Sequence, residues 1–330
     1  MSKFTTTRRI HIDPYADIKN KIRNLNLPTA IRRDWDEIND ISDETFVSDT
    51  GSFGKISRVR IHGSDYIMKE LFYKQMFEEG LTDEVLNEIV HQSVVSGGNY
   101  ICPLRGVIVG DSSVMMIMDE CGKPYRVGGG VAAVQKHLKH FGELCRAIQY
   151  LHDRHILHLD IKPDNVMVAS NGEVRLIDFG QSMFTEHIVH KSVGTLDYQA
   201  PEVLYNKDEN YHVSSAVDMW ELGATLYEMI TGKKPFGVGR LEDIENRIRN
   251  ADWDKETLRN YNEKAYEICL HLLEKDPRKR WSVRRVLKYL AANGSYGVSR
   301  RHTSHLNRSF QVHTMRRTTN PHTRRRNSSV

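Results

Sequence analysis

The chain has 330 residues and four cysteines, with 39% hydrophobic and 27% charged residues, ordinary values for a globular protein. No run of 18 apolar residues occurs, which excludes a membrane-spanning helix, and Met1-Ser2-Lys3-Phe4-Thr5 lacks the apolar stretch of a secretory signal. The net charge of +4 divides unevenly: residues 293–330 hold eight arginines and no lysine or acid, so this tail carries +8 and the remainder −4.

Residues 1–43 mix charge with short apolar clusters and read as an N-terminal extension that wraps the domain. Residues 44–119 alternate apolar and polar positions between turn signals, which predicts a small antiparallel sheet interrupted by one helix. In Lys55-Ile56-Ser57-Arg58-Val59-Arg60-Ile61 the residues Val59 and Ile61 keep the strand period of two. Ile56 falls out of phase, which leaves room for a bulge near Ser57. The four cysteines (Cys102, Cys121, Cys145, Cys269) include no CxxC pair. They predict free, buried thiols in a reducing cytosolic or nuclear setting rather than a zinc or disulfide framework.

From about residue 120 to 292 the periodicity is helical. Phe141, Leu144, Ile148 and Leu151 mark one face of a helix, and Val217 to Ile230 is apolar over most of its surface, as a core helix is. The tail 293–330 is rich in Arg, Ser, Thr, His and Asn and nearly lacks aliphatics. It buries too little to offset its ordering entropy and is expected to be disordered.

The run His158-Leu159-Asp160-Ile161-Lys162-Pro163-Asp164-Asn165, followed by Asp178-Phe179-Gly180, carries the chemistry. Phosphoryl transfer needs a carboxylate near the attacking hydroxyl, a cation on the moving group and oxygen ligands for magnesium. Asp160, Lys162, Asn165 and Asp178 supply that set. Asn165 to Val168 and Val174 to Ile177 read as two strands around the turn Ser170-Asn171-Gly172-Glu173, and such a hairpin brings Asn165 and Asp178 to the same end.

On these motifs the chain resembles the eukaryotic protein kinase family over residues 45–290. The resemblance implies an α+β, two-lobed fold, with an N-lobe at 44–119, a hinge at 119–122 and a C-lobe at 123–292. It implies an ATP- and Mg²⁺-dependent enzyme acting on protein Ser/Thr hydroxyls. Asp160 would be the catalytic base, Lys162 would neutralise transferring charge, and Asn165 with Asp178 would hold Mg²⁺. Lys162, two residues after Asp160, is a Ser/Thr-type mark, as is Thr195 in Gly194-Thr195-Leu196-Asp197-Tyr198-Gln199-Ala200-Pro201-Glu202, which would bond Asp160 and Lys162. Gly51-Ser52-Phe53-Gly54 resembles the glycine-rich phosphate loop, with Asp49 at the family's first glycine. Lys69 would clamp the α/β-phosphates through an ion pair with Glu88, Glu84 being the other candidate partner.

Met118 would be the gatekeeper, with adenine read by the Asp119 carbonyl and the Cys121 N–H. Ile56, Ile67, Met167 and Ile177 would sandwich the base. Glu202 would pair with Arg280, and Asp218 would anchor the catalytic-loop backbone. Leu159 stands where the family usually has an arginine that receives an activation-loop phosphate, a secondary resemblance to Mos-type kinases. Asp49 and Gln92, the latter at a usually apolar position, motivate an alternative reading as a pseudokinase scaffold. Asp164 and Glu228 fall where basophilic kinases bind a substrate arginine, and Arg-Arg-x-Ser/Thr recurs before Thr303, Thr319 and Ser328. The partners expected are protein substrates with upstream arginine and, for the basic tail, polyanions; a monomer is expected.

Overall fold

The computed structural model describes residues 13–29, 31, 41–51, 54–185, 188–189, 194–205 and 211–292, with backbone alone at 49–51, 188–189 and 211–212. Ser52, Phe53, Ser192, the Asp49 side chain and the tail 293–330 lie outside the described residues. Two compact units divide the chain, Met1–Tyr296 and Gly297–Val330, and all described residues belong to the first.

Helix α1 (Ala16–Arg23) has Ile18 and Ile22 one turn apart, so both face the same way and are buried. Asp17 in its first turn and Lys21 and Arg23 in its last match the helix dipole. Strand β1 (Ile41–Gly51) starts inside the segment read as an extension. It pairs with β2 (Gly54–Ile61) and, through β3 (Ser64–Phe72), with β4 (Leu104–Val109) and β5 (Ser113–Asp119). The five form one antiparallel sheet in the order β1-β2-β3-β5-β4.

Register decides which side chains meet. Ile56 lies opposite Lys69, Arg58 opposite Ile67, Ile67 opposite Met118 and Lys69 opposite Met116, so Ile56, Ile67, Lys69 and Met118 share a face. Val59, Ile61, Met68 and Ile117 cluster on the other face with Ile108. The phase break at Ile56 is therefore a change of face. Ser57 takes the inward position and donates to Glu44 Oε1 at 2.8 Å. β2 pairs with β3 without interruption, and β1 carries three register shifts against β2, one of which makes Val47 extra between Phe46, opposite Ser57, and Ser48, opposite Ile56. Gly54 is at φ +150°, and a Cβ there would lie 2.2 Å from the Glu70 carbonyl oxygen, so the strand can start there only as glycine.

Helices α2 (Tyr73–Glu78) and α3 (Thr82–Val95) cover the first face. Val85 and Ile89 of α3 join Leu71, Leu104, Val107, Val114 and Met116 in one cluster, to which Ile18, Ile22 and Ile31 of the N-terminal segment also belong.

The C-lobe is built on α4 (Val134–His152) and α6 (Ser215–Thr231). The four sequence-marked residues of α4, Phe141, Leu144, Ile148 and Leu151, are all fully buried. Ser214 caps α6 through the Ala216 N–H, and Gly232 ends it in the left-handed conformation. Short strands β6 (Lys123–Pro124), β7 (Ile156–Leu157), β8 (Val166–Val168), β9 (Val174–Leu176), β10 (Met183–Phe184), β11 (Ile188–Val189) and β12 (Tyr211–His212) edge this lobe. The sheet β6-β8-β9 contains the expected hairpin, while β10 pairs with β7 and β11 with β12. Helices α5 (Pro201–Leu204), α7 (Leu241–Asn250), α8 (Lys255–Tyr261), α9 (Glu263–Leu272) and α10 (Val283–Ala292) complete it. The fold is α+β and two-lobed, as read from the sequence.

The cysteine expectation fails at one pair. Cys102 and Cys121 form a disulfide, with Cα atoms 6.0 Å apart. Nineteen residues separate them along the chain. They meet because the Cys102 N–H donates to Leu176 O and the Asp119 N–H to Pro103 O, which lays the segment before β4 beside the end of β5. Cys145 and Cys269 are free and fully buried, and burial pushes both thiols up. In protein purified without reductant, thiol titration after denaturation should find two free cysteines, and a non-reduced digest should yield peptides joined through Cys102 and Cys121. Four free thiols would contradict the bond.

Candidate active site

The loop between β7 and β8 is shaped by one buried carboxylate. Asp218 of α6 accepts the Leu159 N–H on Oδ1 at 2.9 Å and the His158 N–H on Oδ2 at 3.1 Å, and His152 Nε2 of α4 lies 2.7 Å from the same Oδ2. Burial pushes the Asp218 carboxyl up, but His152 and the Leu159 amide outweigh it and hold it below the usual range. Leu159 is held at φ 62°, unfavourable for a residue with a branched side chain. Gly194 packs against it; a Cβ there would come within 2.6 Å of the Leu159 carbonyl oxygen. Glu221, one turn along α6, accepts the Ile161 N–H at 2.8 Å, and Thr225 donates to Ile161 O at 2.9 Å. Burial, then the neighbouring Asp218 charge, pushes the Glu221 carboxyl well up.

Asp160 is thereby fixed at the centre of a polar cluster. Lys162 Nζ donates to Asp160 Oδ2 at 2.8 Å and to Thr195 Oγ1 at 2.7 Å, and Thr195 donates on to Asp160 Oδ1 at 2.8 Å. Asn165 Nδ2 donates to the Asp160 carbonyl at 2.8 Å and to Oδ2 at 2.9 Å. Lys162 and Asn165 of the expected set thus contact Asp160 directly, with Thr195 beside them, while Asp178 contacts Lys69 instead.

Across the cleft, Lys69 Nζ lies 2.6 Å from Glu88 Oε1 and 3.6 Å from Asp178 Oδ1. Glu88, not Glu84, is the partner. Burial would pull the Lys69 ammonium down, but the Glu88 and Asp178 carboxylates outweigh it and hold it above its ordinary value. Burial pushes Glu88 up while Lys69 pulls it down, and the net is upward. For Asp178 burial also pushes up, and Lys69 with the Gly180 N–H brings it below the usual range. The lysine is shared by two acids, of which Asp178 is the more exposed.

The β8–β9 hairpin sets the metal candidates side by side: the Ile177 N–H donates to Asn165 O at 3.0 Å, and Asp178 follows directly. Asn165 commits its amide nitrogen to Asp160, which turns its carbonyl oxygen away from that residue. One carboxylate and one amide oxygen make a hard, all-oxygen donor pair that suits Mg²⁺ and leaves its remaining positions to phosphate and water.

The adenine candidates divide between the lobes. Ile56, Ile67 and Met118 lie on the Lys69 face of the sheet; Met167 is on β8, and Ile177 follows β9. Asp119 ends β5 and Cys121 follows it, with the Asp119 carboxylate held by Arg105 at 2.6 Å and Glu120 by Arg58 at 2.5 Å. Gly51 and Gly54 pair across the first hairpin, and Ser52 and Phe53 between them lie outside the described residues. Gln92 is buried, and its amide donates to Cys102 O at 3.4 Å, so the usually apolar position is satisfied by a hydrogen bond. Arg280 forks onto Glu202 at 2.5 and 2.7 Å.

A family model described as the protein kinase domain matches residues 49–290. The chain belongs to the protein kinase family. Aurora kinase C of Mus musculus is 31% identical over 251 residues, covering 72% of this chain and 87% of the mouse protein. Serine/threonine-protein kinase Aurora-2 of Arabidopsis thaliana is 28% identical over 250 residues, covering 72% and 85%. The cAMP-dependent protein kinase type 3 of Saccharomyces cerevisiae is 29% identical over 214 residues, covering 62% and 51%. This kinase is of the eukaryotic Ser/Thr type.

Sequence reasoning missed four contributors to the kinase site. Glu221 and Thr225 lie on a helix so uniformly buried that no periodicity separates a functional face. His152, at the end of α4, reaches Asp218 across 66 residues of chain. His91 of α3 meets Ser182 Oγ at 2.9 Å and packs edge-on against Phe184, tying α3 to the segment after Asp178.

Proposed function

We propose that this kinase transfers the γ-phosphate of ATP to Ser or Thr hydroxyls of protein substrates, with Asp160 as the base that takes the hydroxyl proton. The observation that carries the reading is the closed contact set Asp160–Lys162–Thr195–Asn165, facing the Lys69–Glu88–Asp178 triad. Thr195 and Asn165 fix the Asp160 carboxylate so that no reorganisation is needed as the hydroxyl arrives. Lys162, bonded to the same carboxylate, offsets charge on the transferring group, and Lys69 holds the α/β-phosphates. Asn165 and Asp178 would hold Mg²⁺, which when bound neutralises phosphate charge. Ile56, Ile67, Met118, Met167 and Ile177 would enclose the adenine, read by the Asp119 carbonyl and the Cys121 N–H, with Gly51–Gly54 over the phosphates. With every charged role filled, the scaffold alternative has no support from the site.

Lys69→Met and Asp178→Ala should each cut γ-phosphate transfer to a generic basic protein by at least about a hundredfold, with thermal melting little changed. Phosphoamino-acid analysis of the wild-type product should give phosphoserine or phosphothreonine. Substantial turnover by Asp178→Ala would overturn the metal assignment. We also propose the tail as a substrate in cis, at Thr303, Thr319 or Ser328, because tethering provides roughly millimolar effective concentration even where recognition is weak. Phosphates there would offset most of the tail's +8 charge, and with it a hold on polyanions.

Activity should not depend on activation-segment phosphorylation. Leu159 is fully buried in the main core cluster, against which Met183 and Phe184 also pack, and its aliphatic side chain offers a phosphate no cation. Ser182 is buried and donates to Phe179 O at 2.6 Å. Phosphatase treatment should leave most of the rate. A roughly tenfold loss, about 1.4 kcal/mol of barrier, would show that another basic group receives a phosphate.

A further inference from the structure

Next to the catalytic loop, one lysine is surrounded by acids. Lys234 Nζ lies 3.3 Å from Glu228 Oε2 and 3.9 Å from Asp197 Oδ2, and stands 4.2 Å over the Tyr198 ring. The Tyr198 hydroxyl donates to Glu228 and accepts from Lys234. Tyr198 is buried within the segment that begins at Thr195, and its hydroxyl feels Asp164 of the catalytic loop as well as Asp197 and Glu228. Glu228 is the carboxylate bonded to the tyrosine hydroxyl, Asp197 and Asp164 add negative charge around it, and Lys234 is the cation bonded to it. The Lys234 side chain is 27% exposed and that of Glu228 13%. Both line an open cavity of about 610 Å³ whose wall includes Phe236, Val238, Arg247 and Trp253.

We propose that Lys234 determines substrate specificity: it occupies Glu228 and so denies that carboxylate to a cationic side chain of the substrate. The inference deepens the protein-kinase reading and rests on it. A peptide guanidinium arriving at Glu228 must first break the Lys234 contacts to Glu228 and to the Tyr198 hydroxyl. It recovers at best what the lysine gave up, so its net gain is small. Asp164 is exposed, and a single exposed carboxylate contributes little to an ion pair. The wild-type groove should thus accept substrates with uncharged residues upstream of the hydroxyl about as well as arginine-bearing ones. Without the lysine, Glu228 is a half-sequestered carboxylate bonded to a tyrosine and suited to a forked guanidinium.

The test compares two peptides, one with a pair of arginines ending two residues before its serine and its twin with alanines there. For the wild type, kcat/KM should differ less than about threefold between them. For Lys234→Met the arginine peptide should gain at least tenfold over its twin, about 1.4 kcal/mol. Lys234→Arg, which keeps the cation, should retain the wild-type ratio, and adding Glu228→Gln to Lys234→Met should remove the gain. An unchanged ratio in Lys234→Met, or a wild type that already prefers arginine tenfold, would overturn the proposal. Fluorescence anisotropy of the same two peptides on the same proteins decides the matter without turnover. Tighter arginine-peptide binding by Lys234→Met supports the role of Lys234 even if absent phosphotransfer by the wild type were to sink the kinase reading.

Discussion

The carboxylate of Asp218 is the constraint on which the catalytic loop depends. It is fully buried on the central helix and collects two backbone N–H groups and one imidazole. Buried amides without partners cost about 1–3 kcal/mol each, so the loop can take its unusual course only where such an acceptor waits. That course includes a leucine in the left-handed region, and it delivers Asp160 to Lys162, Thr195 and Asn165. Glu221 and Thr225 on the same helix hold the next residue, Ile161, from both its N–H and its carbonyl. The helix is apolar nearly all round because it is the core. Three of its polar side chains, Asp218, Glu221 and Thr225, are spent on one loop.

A second convergence depends on sheet register and helix packing together. Lys69 projects from β3 on the face that α3 covers, so Glu88 can reach it only while Val85 and Ile89 stay seated in the N-lobe cluster. The N-terminal helix contributes Ile18 and Ile22 to that cluster, which makes residues far from the cleft part of what positions the ion pair. From the other lobe, the contact of His91 with Ser182 and Phe184 holds α3 against the segment following Asp178. Leu159, where the family usually has a phosphate-binding arginine, is instead fully buried in the main core cluster. Glu88 and Asp178 shift in opposite directions: burial dominates at Glu88 and pushes it up, while at Asp178 Lys69 and the Gly180 N–H outweigh burial and bring it down.

Legibility in the sequence followed chain distance. Asp160, Lys162, Asn165 and Asp178 stand within a hairpin's reach of one another, and their chemistry could be read directly, as could the helices with clear 3.6-residue periods. Ile56 shows what a single strand hides: its phase is intelligible only once the register with Lys69 assigns it to the cleft face. The Cys102–Cys121 bond was not legible because it depends on how the segment before β4 is laid along the hinge, which no spacing encodes. By resemblance the sequence offers Glu228 as an acceptor for a substrate arginine. That Lys234 already holds it follows from the turn after α6, six residues on, and from the placement of Tyr198. Glu221, in plain view beside Asp218, carried no signal that set it apart from a helix surface residue.

The central claim is that Asp160, held by this framework, takes the proton from the acceptor hydroxyl. Single-turnover transfer of the ATP γ-phosphate to a serine-containing protein, wild type beside Asp160→Asn, tests it most directly, with nucleotide affinity measured on the same samples. The account predicts that the variant binds ATP with Mg²⁺ about as tightly as the wild type and transfers phosphate at least roughly a hundredfold more slowly. Transfer within about threefold of wild type at matched nucleotide occupancy, well short of the contribution of a general base, would contradict it.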